Sequence, residues 1–284
     1  MILGVRAAGE VLRAALLSGL DPEAGPARSV VPVSHGQMLL MPAEWGRYAG
    51  VKIATVAPDN PARGRPRIQG TYLLLDAETL SPLTTLDGPA LTAVRTAAVS
   101  ALAVDVLAPT SASRLVVFGT GPQARSHVAA IRAVRPVSSV VVVGRSSAEA
   151  FASEVDGRVG TAADVADADV VVCATTARSP LFDGTLLSPD AVVVAVGSHE
   201  PDAREVDDVV VGRSTVVVES RTAALREAGE VVQAVAAGVL DPSTLVGLAE
   251  VVRGRSVVGP VLFKSVGMAW EDLVVAAGSW EART

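Results

Sequence analysis

The sequence predicts an α/β fold in two parts: a parallel sheet covered by helices, and a second, α+β domain. Three observations lead there. Apolar runs of strand length, Leu115 to Phe118, Ser139 to Val143, Ala168 to Ala174, Ala191 to Val196 and Ser214 to Glu219, are continuous instead of alternating, as strands buried on both faces are. The stretches between the early members of this set, Val128 to Val134, Ser147 to Val155 and Ala162 to Ala166, are short and alanine-rich, which suits helices covering such a sheet. Before them, the first hundred residues hold extended segments separated by turn residues, a pattern of antiparallel or mixed strands. A chain of 284 residues is long enough for two ordinary domains. The expected division is 111–255 for the parallel sheet and 1–110, joined by 256–284, for the second domain.

Taken in order, residues 5 to 19 place Val5, Ala8, Val11, Leu12, Ala15 and Leu16 at helical spacing, and Gly19 and Pro22 close the pattern. Glu10 and Arg13 interrupt the stretch, so it reads as a helix and not as a signal peptide. Val30 to Val33 and Met38 to Met41 are extended, and Val51 to Val56 and Gly70 to Asp76 are further strands, joined by the Pro/Gly/Arg-rich loop Pro58 to Pro66. Pro89 to Ala108 is an alanine-rich helix, apolar nearly all round, which implies burial. Near the end, Val257 to Val266 begins strand-like. Gly267 to Leu273 opens a last helix, expected to pack back on the first domain.

Where the first parallel strand ends, Gly119-Thr120-Gly121-Pro122-Gln123-Ala124 leads directly into a helix. Strand, glycine turn and helix in that order form a dinucleotide site: Gly119 lets the chain turn, Gly121 lets the backbone approach a pyrophosphate, and Ala124 keeps the helix close to the sheet. Pro122 suits the first helical position, and the free N–H groups and helix dipole face the phosphates. Fold class by itself does not name a function. This turn narrows it to nucleotide chemistry.

The loop after the second parallel strand, Gly144-Arg145-Ser146-Ser147, has no acid before Glu149. An acid there binds the ribose hydroxyl of NAD, whereas Arg with hydroxyls accommodates the 2′-phosphate of NADP, so NADP(H) is favoured and NAD(H) remains possible. The alternative has Ser146 capping the next helix and Arg145 as a solvated charge. Thr175 and Gly197 complete the cofactor-binding candidates.

Arg95 is the single ionisable residue between Pro89 and Val104. A buried guanidinium must be paired, either by an internal acid such as Asp87 or by a substrate carboxylate gripped bidentately. Lys52 interrupts the apolar strand Val51 to Val56 in an arginine-dominated chain. It is either a titratable amine, since burial lowers a lysine pKa, or protection for an edge strand. A net charge of −6, three histidines and 3% aromatic residues argue against nucleic-acid binding. No apolar run is expected to reach membrane-spanning length. One cysteine, Cys173, excludes an internal disulfide and a cysteine-based metal site, and fits a reducing cytoplasm.

Several segments together carry a resemblance. Arg28, Met41-Pro42, Gly50-Val51-Lys52, Pro58-Asp59-Asn60, Gly88 to Ala98 with its Leu-Thr-Ala-Val-Arg-Thr-Ala-Ala core, the Gly119 to Ala124 turn, Val196 to Asp207 and Phe263 to Gly267 resemble the ornithine cyclodeaminase/mu-crystallin family. The resemblance runs from about Arg28 to Asp272. It implies a Rossmann domain paired with a domain that binds substrate and makes a homodimer. The implied chemistry links an amino acid to its imine through a nicotinamide cofactor, without metal. Arg28 and Arg95 would hold the substrate carboxylate and Lys52 would sit beside the reacting nitrogen. Cyclodeaminases of the family carry an acid where this chain has His199, so the resemblance is to the mu-crystallin-type imine reductases, with His199 as a proton relay or a loop residue and Glu200 as a neighbouring acid. The expected reaction reduces a small 2-imino acid such as pyrroline- or piperideine-2-carboxylate. The alternatives are ornithine or lysine cyclodeamination, and NADP binding without turnover. Asp272 reads as a helix-face acid, Lys264 as a partner for a carboxylate or a seam residue, and His35, Cys173 and the tryptophans as structural.

Overall fold

The computed structural model describes residues 1–145 and 147–283; the expectation placed on Ser146 lies outside them. In chain order the elements are α1 (Val5–Leu17), β1 (Ser29–Val33), β2 (Gly36–Trp45), β3 (Tyr48–Val56), β4 (Ile68–Asp76), β5 (Pro82–Asp87), α2 (Gly88–Leu107), β6 (Arg114–Phe118), α3 (Pro122–Arg132), β7 (Ser139–Val143), α4 (Ala148–Glu154), β8 (Arg158–Val159) and β9 (Val170–Cys173). They continue with β10 (Val192–Ala195), α5 (Asp208–Arg213), β11 (Thr215–Val218), α6 (Arg221–Glu227), α7 (Gly229–Ala236), β12 (Val246–Gly247), α8 (Leu248–Val252), β13 (Val261–Lys264) and α9 (Ala269–Glu281). The chain divides into two compact units, residues 1–95 with 268–284, and residues 96–267.

In the first unit, β1 to β5 form one antiparallel sheet in sequence order, and α9 packs on β2, β3, β4 and α1. Side chains alternate across a pleated strand, so the register decides what α9 meets. Met41, Lys52, Tyr72 and Leu86 are direct cross-strand neighbours, and all are buried. Lys52 therefore lies in the buried row of β3, the central strand of five, which corrects the reading of this lysine as edge protection. The other face of the sheet leaves Val31 and Ile53 more than a third exposed. Strand β5 was not foreseen, because Pro82 and two threonines hide an edge strand in a turn-like composition.

Helix α2 is long and apolar, and the division between the units falls inside it, at Arg95/Thr96. Contrary to the expectation about apolar runs, it is long and apolar enough to cross a membrane: its best 18-residue window has a mean hydropathy of 1.6, with 61% of the window buried inside the protein. Here the apolar surface serves packing. Thr96, Ala97, Ala98, Val99 and Ser100 are all nearly inaccessible.

The second unit holds a fully parallel sheet in the order β12-β11-β13-β10-β9-β6-β7-β8. The chain moves outward from β6 to β7 and β8, then returns to the other side of β6 with β9. That reversal is the switch point at which doubly wound sheets bind ligands, outside the carboxyl ends of the strands. The valine-rich strands are buried, with Val117, Val142, Val172 and Val194 at 0% exposure. β13 is hydrogen-bonded between β10 and β11, so this unit extends to Gly267 and not to residue 255. Likewise it takes up the second half of α2, moving its start from 111 to 96.

Candidate active site

The first unit brings the predicted cations together. Lys52 Nζ lies 2.7 Å from Asp272 Oδ2, and it donates to Thr92 Oγ1 at 3.4 Å. Arg95 donates through Nε to Asp272 Oδ1 at 3.2 Å and through Nη1 to Glu271 Oε2 at 2.7 Å. All four charged groups are buried, Glu271 and Asp272 completely. Asp272 thus engages both cations, one on each oxygen, and fixes the amine relative to the guanidinium. Two buried cations on two buried carboxylates satisfy the rule that a buried charge must be paired.

Burial pulls the Lys52 amine down from 10.5 to about 8; Asp272 opposes that fall, while the positive charges of Arg95 and Arg28 add to it. An amine with that pKa is protonated near neutrality yet gives up its proton readily, as a general acid must. Arg28 stands one residue before β1. Ser29 is opposite Leu40, so continuing the ladder by one step puts Arg28 level with Met41, in the row of Lys52 and Tyr72. Tyr72 is fully buried, its hydroxyl has no hydrogen-bond partner among the described residues, and burial together with the nearby Asp272 raises its pKa.

Asp87 does not serve Arg95. Its Oδ1 accepts from Ala90 N at 2.7 Å, at the start of α2. Asp272, read from sequence as a helix-face acid, instead engages both cations, and Glu271 beside it was missed. The signal was present: two adjacent acids interrupt an otherwise apolar turn of the last helix.

In the second unit the predicted glycine turn leads from β6 directly into α3. Gly119 has φ of 107°, and a Cβ there would lie 2.4 Å from Ala174 O, so the position requires glycine. Gly121 is the N-cap of α3 with Pro122 at the first helical position, and a Cβ on it would meet nothing within 4 Å. Open space in front of a helix N-terminus is what an approaching pyrophosphate needs. Ala124 is inaccessible, and Gln123 accepts through its carbonyl from the buried His127 ring. Thr120 Oγ1 and Ser147 Oγ are 2.6 Å apart, and Arg125 donates to Thr120 O. Ser147 is the N-cap residue of α4 but makes no side-chain cap; its hydroxyl turns to the glycine turn instead. Arg145 is exposed.

Beyond β9 and β10, Thr175 and Gly197 are both bound by the carboxylate of Glu205, a residue the sequence reading did not single out. His199 is exposed in the loop after β10. Glu200 is held by Arg178 at 2.7 Å, at the surface. Lys264 pairs a carboxylate as expected, Glu230 at 2.8 Å. Cys173 is buried and its thiol is pushed well up by burial, and no metal-ligating cluster occurs among the described residues.

A doubly wound parallel sheet with this glycine turn, on a chain whose other unit buries a lysine and an arginine over shared carboxylates, defines a nicotinamide-dependent oxidoreductase. Comparison with known proteins gives the same class. A model of the ornithine cyclodeaminase/mu-crystallin family matches residues 16–282. The chain is 36% identical over 264 residues to ketimine reductase mu-crystallin of Rattus norvegicus, covering 88% of this chain and 82% of that protein. It is 35% identical over 265 residues to Delta(1)-pyrroline-2-carboxylate reductase of Colwellia psychrerythraea, covering 86% and 83%. The structure of the Thermococcus litoralis Delta(1)-pyrroline-2-carboxylate reductase in complex with NADH and L-proline superposes with a TM-score of 0.92 at 30% identity, covering 99% of this chain and 93% of that one. The protein belongs to the ornithine cyclodeaminase/mu-crystallin family.

Proposed function

We propose that this protein is an NAD(P)H-dependent reductase of small 2-imino acids, of the pyrroline- or piperideine-2-carboxylate type, yielding the corresponding amino acid. The observation that carries the reading is the buried Lys52, held on Asp272 beside Arg95 and within the field of Arg28. The reactions named for the similar reductases support it.

Arg28 and Arg95 bind and orient the substrate carboxylate. Two fixed cations set the imine in one plane, and such positioning is a large part of a rate enhancement. Lys52, as ammonium, holds its proton toward the imine nitrogen and transfers it as the C=N bond becomes C–N; Asp272 keeps the amine in place throughout. A nicotinamide cofactor held at the Gly119 to Ala124 turn would supply the hydride. Burial of the cluster excludes water, which strengthens each of these electrostatic contacts.

For the cofactor we favour NADPH over NADH, on Arg145 and Ser147 beside the glycine turn and the absence of an acid before Glu149. Arg145→Ala then weakens NADPH binding about tenfold, as loss of a charge-assisted contact does, and leaves NADH unchanged. A homodimer through the first unit is supported by the partly exposed apolar face around Val31 and Ile53. A reducing cytoplasm is supported by the lone, buried Cys173. His199 is assigned as a proton relay at the loop after β10.

The test is loss of NADPH absorbance when purified protein meets pyrroline-2-carboxylate, piperideine-2-carboxylate, or an open-chain 2-oxo acid with an amine. Turnover with a cyclic imine is expected. No oxidation with any of them overturns the reading, and ammonia released from ornithine without added cofactor would replace it with cyclodeamination.

A further inference from the structure

We infer that Glu205 is a positioning residue that sets the nicotinamide half of the cofactor site by tying together the backbones that follow two adjacent strands. The inference rests on the dinucleotide reading of the glycine turn. Glu205 is fully buried. One carboxylate oxygen accepts from Thr175 N at 2.8 Å and Thr175 Oγ1 at 2.7 Å, and the other accepts from Gly197 N at 2.7 Å. Thr175 follows β9 and Gly197 follows β10, parallel neighbours, so one side chain spans both carboxyl ends.

The fit leaves no slack. A Cβ at Gly197 would lie 2.1 Å from Thr175 O and 2.4 Å from Glu205 Oε1, so the glycine is required by the close approach of both the Thr175 carbonyl and the carboxylate. Glu205 is itself anchored: its backbone N donates to Glu230 Oε1 at 2.9 Å, Glu230 Oε2 pairs with Lys264 Nζ at 2.8 Å, and Lys264 Nζ donates to Ser198 O at 2.7 Å. Three buried charges thus close a circuit around the segments at 175 and 197–198. Buried ion pairs are a poor way to stabilise a core, since apolar replacements often do as well. What an apolar residue cannot do is accept three hydrogen bonds from two separate strand ends.

Topology says which half of a dinucleotide these segments meet. Gly119 abuts Ala174 O, the residue just before Thr175, so the pyrophosphate turn adjoins the Glu205 assembly directly. On one side of β6, Thr120 touches Ser147 after β7, which is the adenosine side. On the other side lie β9 and β10, so the remaining half of the cofactor runs past Thr175 and Gly197.

The experiment compares ligand binding by titration calorimetry for the wild type and Glu205→Gln. The amide keeps the volume but turns an acceptor into a donor facing Gly197 N or Thr175. Expected is NADPH binding weakened about tenfold or more, the scale of an unsatisfied buried hydrogen bond, with 2′,5′-ADP, the adenosine-side fragment, bound as by wild type. A purely structural role weakens both ligands together, and that result, or no change in either, overturns the inference. If Glu205→Gln does not fold, Glu205→Asp, which keeps the charge but is one methylene too short to span both strands, is measured against the same outcomes. Wild-type protein that binds neither NADPH nor NADH overturns the dinucleotide reading itself, before any variant is compared.

Discussion

Asp272→Asn tests the central claim that one buried carboxylate governs the acidity of Lys52. The amide matches the carboxylate in size, and Arg95 keeps its contact with Glu271, so the perturbation is mainly electrostatic. In the wild type the Lys52 amine lies at about 8, with Asp272 the largest influence holding it up and Arg95 and Arg28 pushing it down. An opposite charge at hydrogen-bond distance moves a pKa by roughly 1 to 3 units. Removing it leaves burial and the two arginine charges to pull the amine further below its wild-type value of about 8. At pH 7.5 the protonated fraction, about three quarters in the wild type, then falls, and kcat/KM for imine reduction falls with it by about tenfold for each unit that the amine lies below that pH. The assay is NADPH oxidation with pyrroline-2-carboxylate from pH 5 to 9, with circular dichroism confirming the fold. The alkaline limb of the profile is expected to move from near 8 towards acid by at least one pH unit, with activity recovering as the pH falls. A uniform loss with the limb unmoved would falsify the coupling of Asp272 to the catalytic proton.

Three further outcomes follow from the same geometry. Gly119→Ala, which combines a positive φ with a backbone clash at 2.4 Å, is expected to lower the melting temperature sharply, whereas Gly121→Ala, with no protein atom near its Cβ, leaves melting intact and weakens NADPH binding at least tenfold; identical behaviour of the two variants would contradict the turn's assignment. Arg95→Lys cannot reach both Glu271 and Asp272 from one nitrogen, so a stability loss of about 3 kcal/mol and a raised KM for the imino acid are expected in urea titrations and initial-rate assays. Burial lowers the His127 pKa from 6.5 to about 4, and a histidine depressed in this way stays neutral in the folded state while the unfolded chain takes up a proton. Stability should therefore fall as pH drops from 6.5 towards 4, by about 3 kcal/mol in full, and His127→Gln should lack that component of the urea-midpoint profile; an unchanged slope in the variant refutes it.

Local pattern was enough for the main strands and the glycine turn of the second unit. A continuous valine run means a strand buried on both faces, and two glycines before a proline-started helix mean a phosphate turn; both are statements about neighbouring residues, and both were legible without a fold. The cations were legible for a related reason: a charge inside an apolar run must have a purpose, so Lys52 and Arg95 drew attention on their own. Their partners did not. Asp272 lies far along the chain from Lys52, and whether an acid on an amphipathic turn faces water or a buried amine depends on which side of α9 rests on β3. Glu205 was hidden for the same reason, since its three donors come from the ends of two strands that only the sheet order makes adjacent. The sequence by itself determined the longer elements, the glycine turn and the residues that carry positive charge into apolar surroundings, because those follow from spacing and composition within one segment. Only the tertiary structure decided which carboxylates answer them and how acidic the lysine becomes, because Coulomb and desolvation energies depend on distance and burial between segments that are remote in sequence.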